Sequence, residues 1–173
     1  MKTIIDIETA PLKYGKHLSI EYGKSKDIGA LSPITGRITA AGWMTQNDHR
    51  ICLHENEKIV LQEFWNSLPS TDIVGFNTSF DIHFLLVRSL HHNISITPLT
   101  HVIDLREVMW GQRKKGTLND YAKLIGVDTK LFEGRDAPLL WKEKLYDTLK
   151  DYLHQDLKIT YALYEQCVKI GLL

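Results

Sequence analysis

The run TIIDIE at residues 3–8 places the tightest constraint on how this chain can fold. Ile4, Ile5 and Ile7 give a density of β-branched residues that predicts a strand inside a sheet, buried on both faces. Asp6 and Glu8 stand in the middle of it. Residues two apart on a strand share a face, so these two carboxylates converge on one spot. Desolvating an unpaired carboxylate is costly, and two close ones repel until one takes up a proton or a cation neutralises both. The strand is therefore either an exposed edge with its acids in water or the floor of a site for a positive group. A hard divalent ion held by oxygen ligands, Mg²⁺ or Mn²⁺, suits the second case. A lone D-x-E arises readily by chance, so the rest of the chain has to decide.

The remaining pattern alternates. TGRITAAGWM (35–44) and RICLH (50–54) read as strands joined by the polar turn TQND, which makes 36–54 an antiparallel hairpin. EKIVLQEFWNSL (57–68) has apolar residues at helical spacing and stops before Pro69. DIVGFN (72–77) and THVIDL (100–105) read as short strands, with SFDIHFLLVRSLHH (79–92) a helix between them. TLNDYAKLIGV (117–127) is a helix closed by Gly126, and 145–170 is a long amphipathic helix. Strands first, then alternating helices and strands, predict an α/β sandwich around a mixed sheet. At 173 residues, with 43% hydrophobic and 24% charged residues, one domain spanning 1–173 can bury a full core. Residues 11–33 and 113–117, rich in Lys and Gly, are left as loops, either solvated or facing a substrate.

Charge and cysteines exclude some classes of function. Lys+Arg and Asp+Glu each number 21, a balance that argues against a broadly basic surface gripping long nucleic acid but leaves room for a local basic track. Cys52 and Cys167 have no metal-ligand spacing and read as free thiols of a reducing compartment. Acids break the N-terminal apolar stretch too early for a signal peptide, and no apolar run reaches membrane-spanning length. These features set the expectation of a soluble, cytoplasmic protein that does not engage a membrane.

Two more acidic features accompany Asp6 and Glu8. In GFNTSFDIHFLLVR (75–88), Asp81 falls in the first turn of an apolar helix, directly after a strand and a Gly/Asn loop. An acid there complements the helix dipole, yet strand ends leading into helices are also where α/β proteins build sites. Asn77 offers a free amide from the loop, while Phe80, Phe84 and Leu85 read first as core. In DYLHQD (151–156), Tyr152 and Asp156 lie one helical turn apart. Of the seven tyrosines, only Tyr152 has Asp four residues on.

Taken together, D-I-E-T at 6–9, G-F-N-T-S-F-D at 75–81 and Y-L-H-Q-D at 152–156 resemble the three exonuclease motifs of the DEDD superfamily. Tyrosine in the third motif places the match in the DEDDy branch. The second motif looks most like the proofreading exonuclease domain of B-family DNA polymerases, and more closely still like the small stand-alone proteins related to it. The resemblance implies a ribonuclease H-like fold: three layers, with a central mixed sheet and helices on both faces. It implies a 3′–5′ exonuclease acting on single-stranded 3′ ends, with DNA favoured, RNA the alternative, and a non-cleaving nucleic-acid module a distant third.

By the same resemblance, Asp6, Glu8, Asp81 and Asp156 would hold two divalent ions, Mg²⁺ or Mn²⁺, and Tyr152 would orient the attacking water. Thr9, Asn77 and Phe80 would meet the terminal nucleotide. A partner polymerase or helicase is left open. His154 is out of register for the histidine branch and belongs on the opposite helix face. Asp104 and Glu107 read as helix caps, and Asp147 and Asp151 as a charged helix face. His91 and His92 read as a C-terminal complement to a helix dipole. The tryptophans Trp43, Trp65, Trp110 and Trp141 all read first as core, with Trp110 the best candidate for base stacking.

Overall fold

In a computed structural model that describes residues 2–21, 24–110, 116–128 and 136–173, the isoleucine-rich run is the central strand of a mixed sheet. It is β1, Thr3–Pro11. The strands β2 (Leu18–Glu21) and β3 (Lys24–Asp27) pair with each other as a separate hairpin, followed by a 3₁₀ turn at Gly29–Leu31. Then come β4 (Gly36–Met44), β5 (His49–Leu53), α1 (Glu57–Ser67), β6 (Asp72–Gly75) and α2 (Thr78–His92). The chain ends with β7 (His101–Asp104), α3 (Leu105–Trp110), α4 (Leu118–Ile125), α5 (Ala137–Lys142) and α6 (Tyr146–Lys169).

The main sheet runs β5-β4-β1-β6-β7, antiparallel on the β5 side of β1 and parallel on the β7 side. Alternation along β1 splits its isoleucines between two cores. Ile4 packs with Leu153, Leu157 and Leu163 of α6 and with residues of α4. Ile5 and Ile7 face the other way, onto Phe64 and Trp65 of α1 and Phe84 and Leu85 of α2. Asp6 and Glu8 share a face with Ile4, so they look toward α6.

Two local features bring α6 and β1 together. Gly42 pairs with Asp6 across β1 and β4, and a Cβ there would meet Leu157 Cδ1 at 2.9 Å. Its missing side chain lets α6 lie close over the acidic end of β1. Next to it, the β1–β4 register slips between Glu8 and Thr9, leaving Thr39 as an extra residue on β4. The Thr39 hydroxyl donates to the Glu8 carbonyl at 3.0 Å, which satisfies the backbone at the irregularity.

The hairpin 36–54 and every helix expected from periodicity are present within a residue or two. Residues 11–33 hold the β2–β3 hairpin rather than loop alone, and α5 arises in a stretch with no assigned element. Of 113–117, only Gly116 and Thr117 lie within the described residues; Thr117 caps α4 in a reciprocal box with Asp120. Among the described residues, no helix is long and apolar enough to cross a membrane.

Candidate active site

The carboxylates of Asp6, Glu8 and Asp156 each offer an oxygen, and these oxygens all lie within 4.8 Å of one another. Two segments far apart in sequence meet here for physical reasons already visible in the fold. β1 supplies two acids on one face. α6, anchored by Leu153 and Leu157 in the core, turns Tyr152 and Asp156 toward the end of the sheet beyond Ile4. Glu8 and Asp156 are buried, and Asp6 is half-buried. Ionised carboxylates cannot share so small a volume without a compensating positive charge.

Tyr152 is 3% exposed and its side chain hydrogen-bonds to Asp156. Burial, and then the charges of Glu8, Asp156 and Asp6, push its phenol far above the ordinary tyrosine range. The hydroxyl therefore keeps its proton and acts as a donor.

Asp81 sits beside the trio on the opposite layer. β6 pairs with β1 only at Thr3 and Ile4 and ends at Gly75, so β1 continues without a parallel neighbour. Asp81, in the first turn of α2, substitutes for that neighbour: its Oδ1 accepts the Ile7 N–H at 3.1 Å. Burial pushes its carboxyl up to about 8, opposed by the Ile7 N–H and reinforced by the charges of Asp104 and Asp156. The turn into α2 is tight. A Cβ on Gly75 would meet Thr78 Oγ1 at 2.7 Å and the Ile5 carbonyl at 3.2 Å.

The other candidate residues are each held by neighbours of their own. Asn77 takes a left-handed conformation (φ 64°) at the start of α2, and its Oδ1 accepts from Arg106 Nη1 at 3.4 Å. Thr9 is buried, with its hydroxyl donated to the Ala30 carbonyl at 2.8 Å. Phe80 is half-buried against Phe84, with ring centroids 4.9 Å apart. His154 points away from the acids and stacks on His49 of β5 at 4.4 Å. Asp147 and Asp151 are exposed on the outer face of α6.

Sequence reasoning gave Asp104 only a capping role. The cap exists, with the Arg106 N–H at 3.0 Å, but the same Oδ1 also accepts the Asn77 N–H at 2.9 Å and so ties the second motif's loop to β7. His92 does not merely end a helix. With Arg88 it binds the buried Glu57, at 2.8 Å and 2.6 Å. Glu57 in turn accepts the Ile38 N–H at 2.7 Å, and Arg88 donates to the Pro33 carbonyl. The signal was an acid at a helix start and an arginine inside an apolar helix, neither of which names its partner. Trp43 and Trp65 are core, as expected, but Trp141 is only half-buried.

With this geometry in view, the profile of the RNase H superfamily matches residues 28–168. The chain belongs to the RNase H superfamily. Its mixed five-stranded sheet, with helices on both faces, is the RNase H-like α/β fold. Over 191 aligned residues it is 31% identical to the uncharacterized protein MJ0365 of Methanocaldococcus jannaschii, covering 99% of this chain and 98% of that one. The crystal structure of the Aedes aegypti Nibbler EXO domain superposes with a TM-score of 0.51 at 15% identity, covering 98% of this chain and 80% of that one. At that identity the likeness bears on the fold.

Proposed function

We propose that this RNase H superfamily chain is a divalent-metal-dependent 3′–5′ exonuclease of the DEDDy type. It removes nucleoside monophosphates from single-stranded 3′ ends, DNA in preference to RNA. One observation carries the reading: Asp6, Glu8 and Asp156 from two remote elements converge within 4.8 Å, with Tyr152 hydrogen-bonded into the cluster. The EXO designation of the Nibbler domain agrees with it.

The donor set fits Mg²⁺ or Mn²⁺. Among the described residues every candidate ligand is a carboxylate oxygen, with no thiol or imidazole in the cluster, and the clustered negative charge calls for more than a single monovalent ion. Asp6, Glu8 and Asp156 would hold one ion, and Asp6 with Asp81 would support a second. Two such ions would lower the pKa of an attacking water and neutralise a leaving 3′-oxygen.

The chain's own groups do the positioning. Tyr152 retains its proton and donates toward the site, which suits it to orienting a water rather than deprotonating one. Asp81 fixes β1 through the Ile7 N–H and so sets the direction of Asp6 and Glu8. Asp104 ties the Asn77 loop to β7. Two buried free thiols, Cys52 and Cys167, suit a reducing cytoplasmic setting.

The test is degradation of 5′-labelled single-stranded DNA and RNA with Mn²⁺ or Mg²⁺. The reading predicts a ladder shortening from the 3′ end, faster on DNA, that stops in chelator and in Asp6→Ala. Cleavage in excess chelator, or no cleavage with either ion, contradicts it.

A further inference from the structure

At the far end of β1 from its N-terminus, a surface cleft of about 340 Å³ opens between β4, α5 and the start of α6. Its lining mixes flat rings with cations: Tyr14, Trp141 and Tyr146 with Arg37, Lys142 and Lys144. Among the described lining residues, Glu55 is the single acid. In a chain whose charges balance at 21 and 21, three cations against one acid among the described lining residues is a local concentration.

The groups already contact one another in pairs. The Arg37 guanidinium lies 5.3 Å from the Trp141 ring centroid, Lys142 Nζ lies 5.6 Å from that of Tyr14, and the Trp141 and Tyr146 rings are 5.1 Å apart. Glu55 is engaged by the Tyr146 hydroxyl at 2.7 Å, and Lys144 Nζ is only at the margin of an ion pair with it, at 4.0 Å. Lys142 and Lys144 are exposed at the rim, whereas Arg37 is half-buried and donates from Nη2 to the Glu55 carbonyl.

The backbone adds an independent sign. α5 ends with Lys144 N–H bonded to the Trp141 carbonyl and Leu145 N–H to the Leu140 carbonyl, and Lys144 takes φ 58°. Glycine fits that left-handed position most easily. A lysine there keeps a cation on the cleft at a local conformational cost.

The cleft is joined to the acidic cluster on two sides. Arg37 pairs with Ala10, two residues past Glu8 on β1. Trp141 packs against the cluster of Ala137, Leu140 and Leu149 that also contains Tyr152. Tyr146 starts the helix that carries Tyr152, about 9 Å further along its axis at the standard rise.

We infer that this cleft is a second binding site for the single-stranded nucleic acid, holding the strand that leads away from the cleaved end by base stacking on Trp141 and Tyr14 and by phosphate contacts to Arg37, Lys142 and Lys144. Sequence-tolerant stacking on aromatic rings together with a cationic track is how single strands are gripped without base readout. The inference rests on the nuclease reading for the direction of the strand, and its test is independent of cleavage.

The experiment is fluorescence anisotropy of a labelled single-stranded 12-mer in excess chelator, over a series of salt concentrations. Wild type is compared with Lys142→Ala/Lys144→Gly. Each lost phosphate contact should reduce the slope of log affinity against log salt by about 0.7, which is roughly fivefold in affinity per lysine at 0.1 M salt. Lys144→Gly also relieves the left-handed lysine, so the variant should melt no lower than wild type, which separates lost binding from lost folding. Replacing bases by abasic sites should weaken wild-type binding by about tenfold.

Equal affinity and salt slope in the variant would overturn the inference, as would equal binding of the abasic strand or of poly-glutamate. If wild type cleaves with Mn²⁺ while the variant binds normally in chelator, the cleft fails and the nuclease reading stands. If the variant loses binding while neither protein cleaves, the cleft stands and the nuclease reading fails.

Discussion

Removing Asp156's charge should make the metal-free protein more stable. Asp6, Glu8 and Asp156 hold oxygens within 4.8 Å of each other, and Glu8 and Asp156 are buried. Coulomb's law at that distance, with an effective dielectric near 20, gives roughly 3.5 kcal/mol of repulsion per fully ionised pair. Partial protonation relieves much of this, so the net gain from Asp156→Asn should be about 1–3 kcal/mol. Asparagine keeps a carbonyl oxygen for the Tyr152 hydroxyl, so no buried donor is orphaned. In excess EDTA the variant should melt higher than wild type, by roughly 2–4 °C per kcal/mol in a chain of this size.

Saturating Mn²⁺ should reverse the order. An ion at 100 times its dissociation constant stabilises the wild type by about 2.7 kcal/mol, and the variant gains less because a ligand is weakened. Differential scanning fluorimetry with and without metal reads both halves. A variant that melts at or below wild type in EDTA, together with a wild type indifferent to Mn²⁺, would refute the reasoning that these acids sit together under mutual repulsion awaiting a cation.

Tyr152→Phe should lower the cleavage rate by roughly 10²-fold while leaving the metal-dependent melting shift intact, because the hydroxyl positions rather than ligates; single-turnover kinetics checks this. Glu57→Gln should cost about 3 kcal/mol in chemical denaturation, since it strands the buried Arg88 charge. Burial raises the Glu57 pKa, but the bonds from Arg88, His92 and Ile38 outweigh that and hold it below its ordinary value. Its contribution to stability is therefore complete above the unfolded pKa, near 4.3, and is lost as pH falls through the lower folded value. Wild type should lose stability more steeply than Glu57→Gln over that acidic window. Gly75→Ala should cost about 1–3 kcal/mol, through the contacts with Thr78 and the Ile5 carbonyl. By displacing Asp81 it should also slow cleavage; one variant measured in both assays tests the two effects.

The sheet was legible because its determinants are local. Ile4, Ile5 and Ile7 announce a two-faced strand, Gly126 closes a helix, and the 3.6-residue period marks α1, α2, α4 and α6. Asp6 and Glu8 were legible for the opposite reason: they violate the rule for a buried strand, and such violations mark sites. What could not be read were contacts between remote segments. Nothing in the sequence near Glu57 points to Arg88 and His92, and nothing near Ile7 says that its N–H will be met by Asp81 where β6 stops short. The aromatic cleft escaped notice for the same reason. Tyr14, Arg37 and Trp141 come from three unrelated stretches, and α5 is too short for its period to show.

The central claim is that four separated acids make one divalent-cation centre. Anomalous diffraction at the manganese edge, from crystals grown with Mn²⁺, addresses it directly. The account predicts a peak bonded by oxygens of Asp6, Glu8 and Asp156, with any second peak between Asp6 and Asp81. Manganese bound elsewhere, with those carboxylates bare, would contradict it.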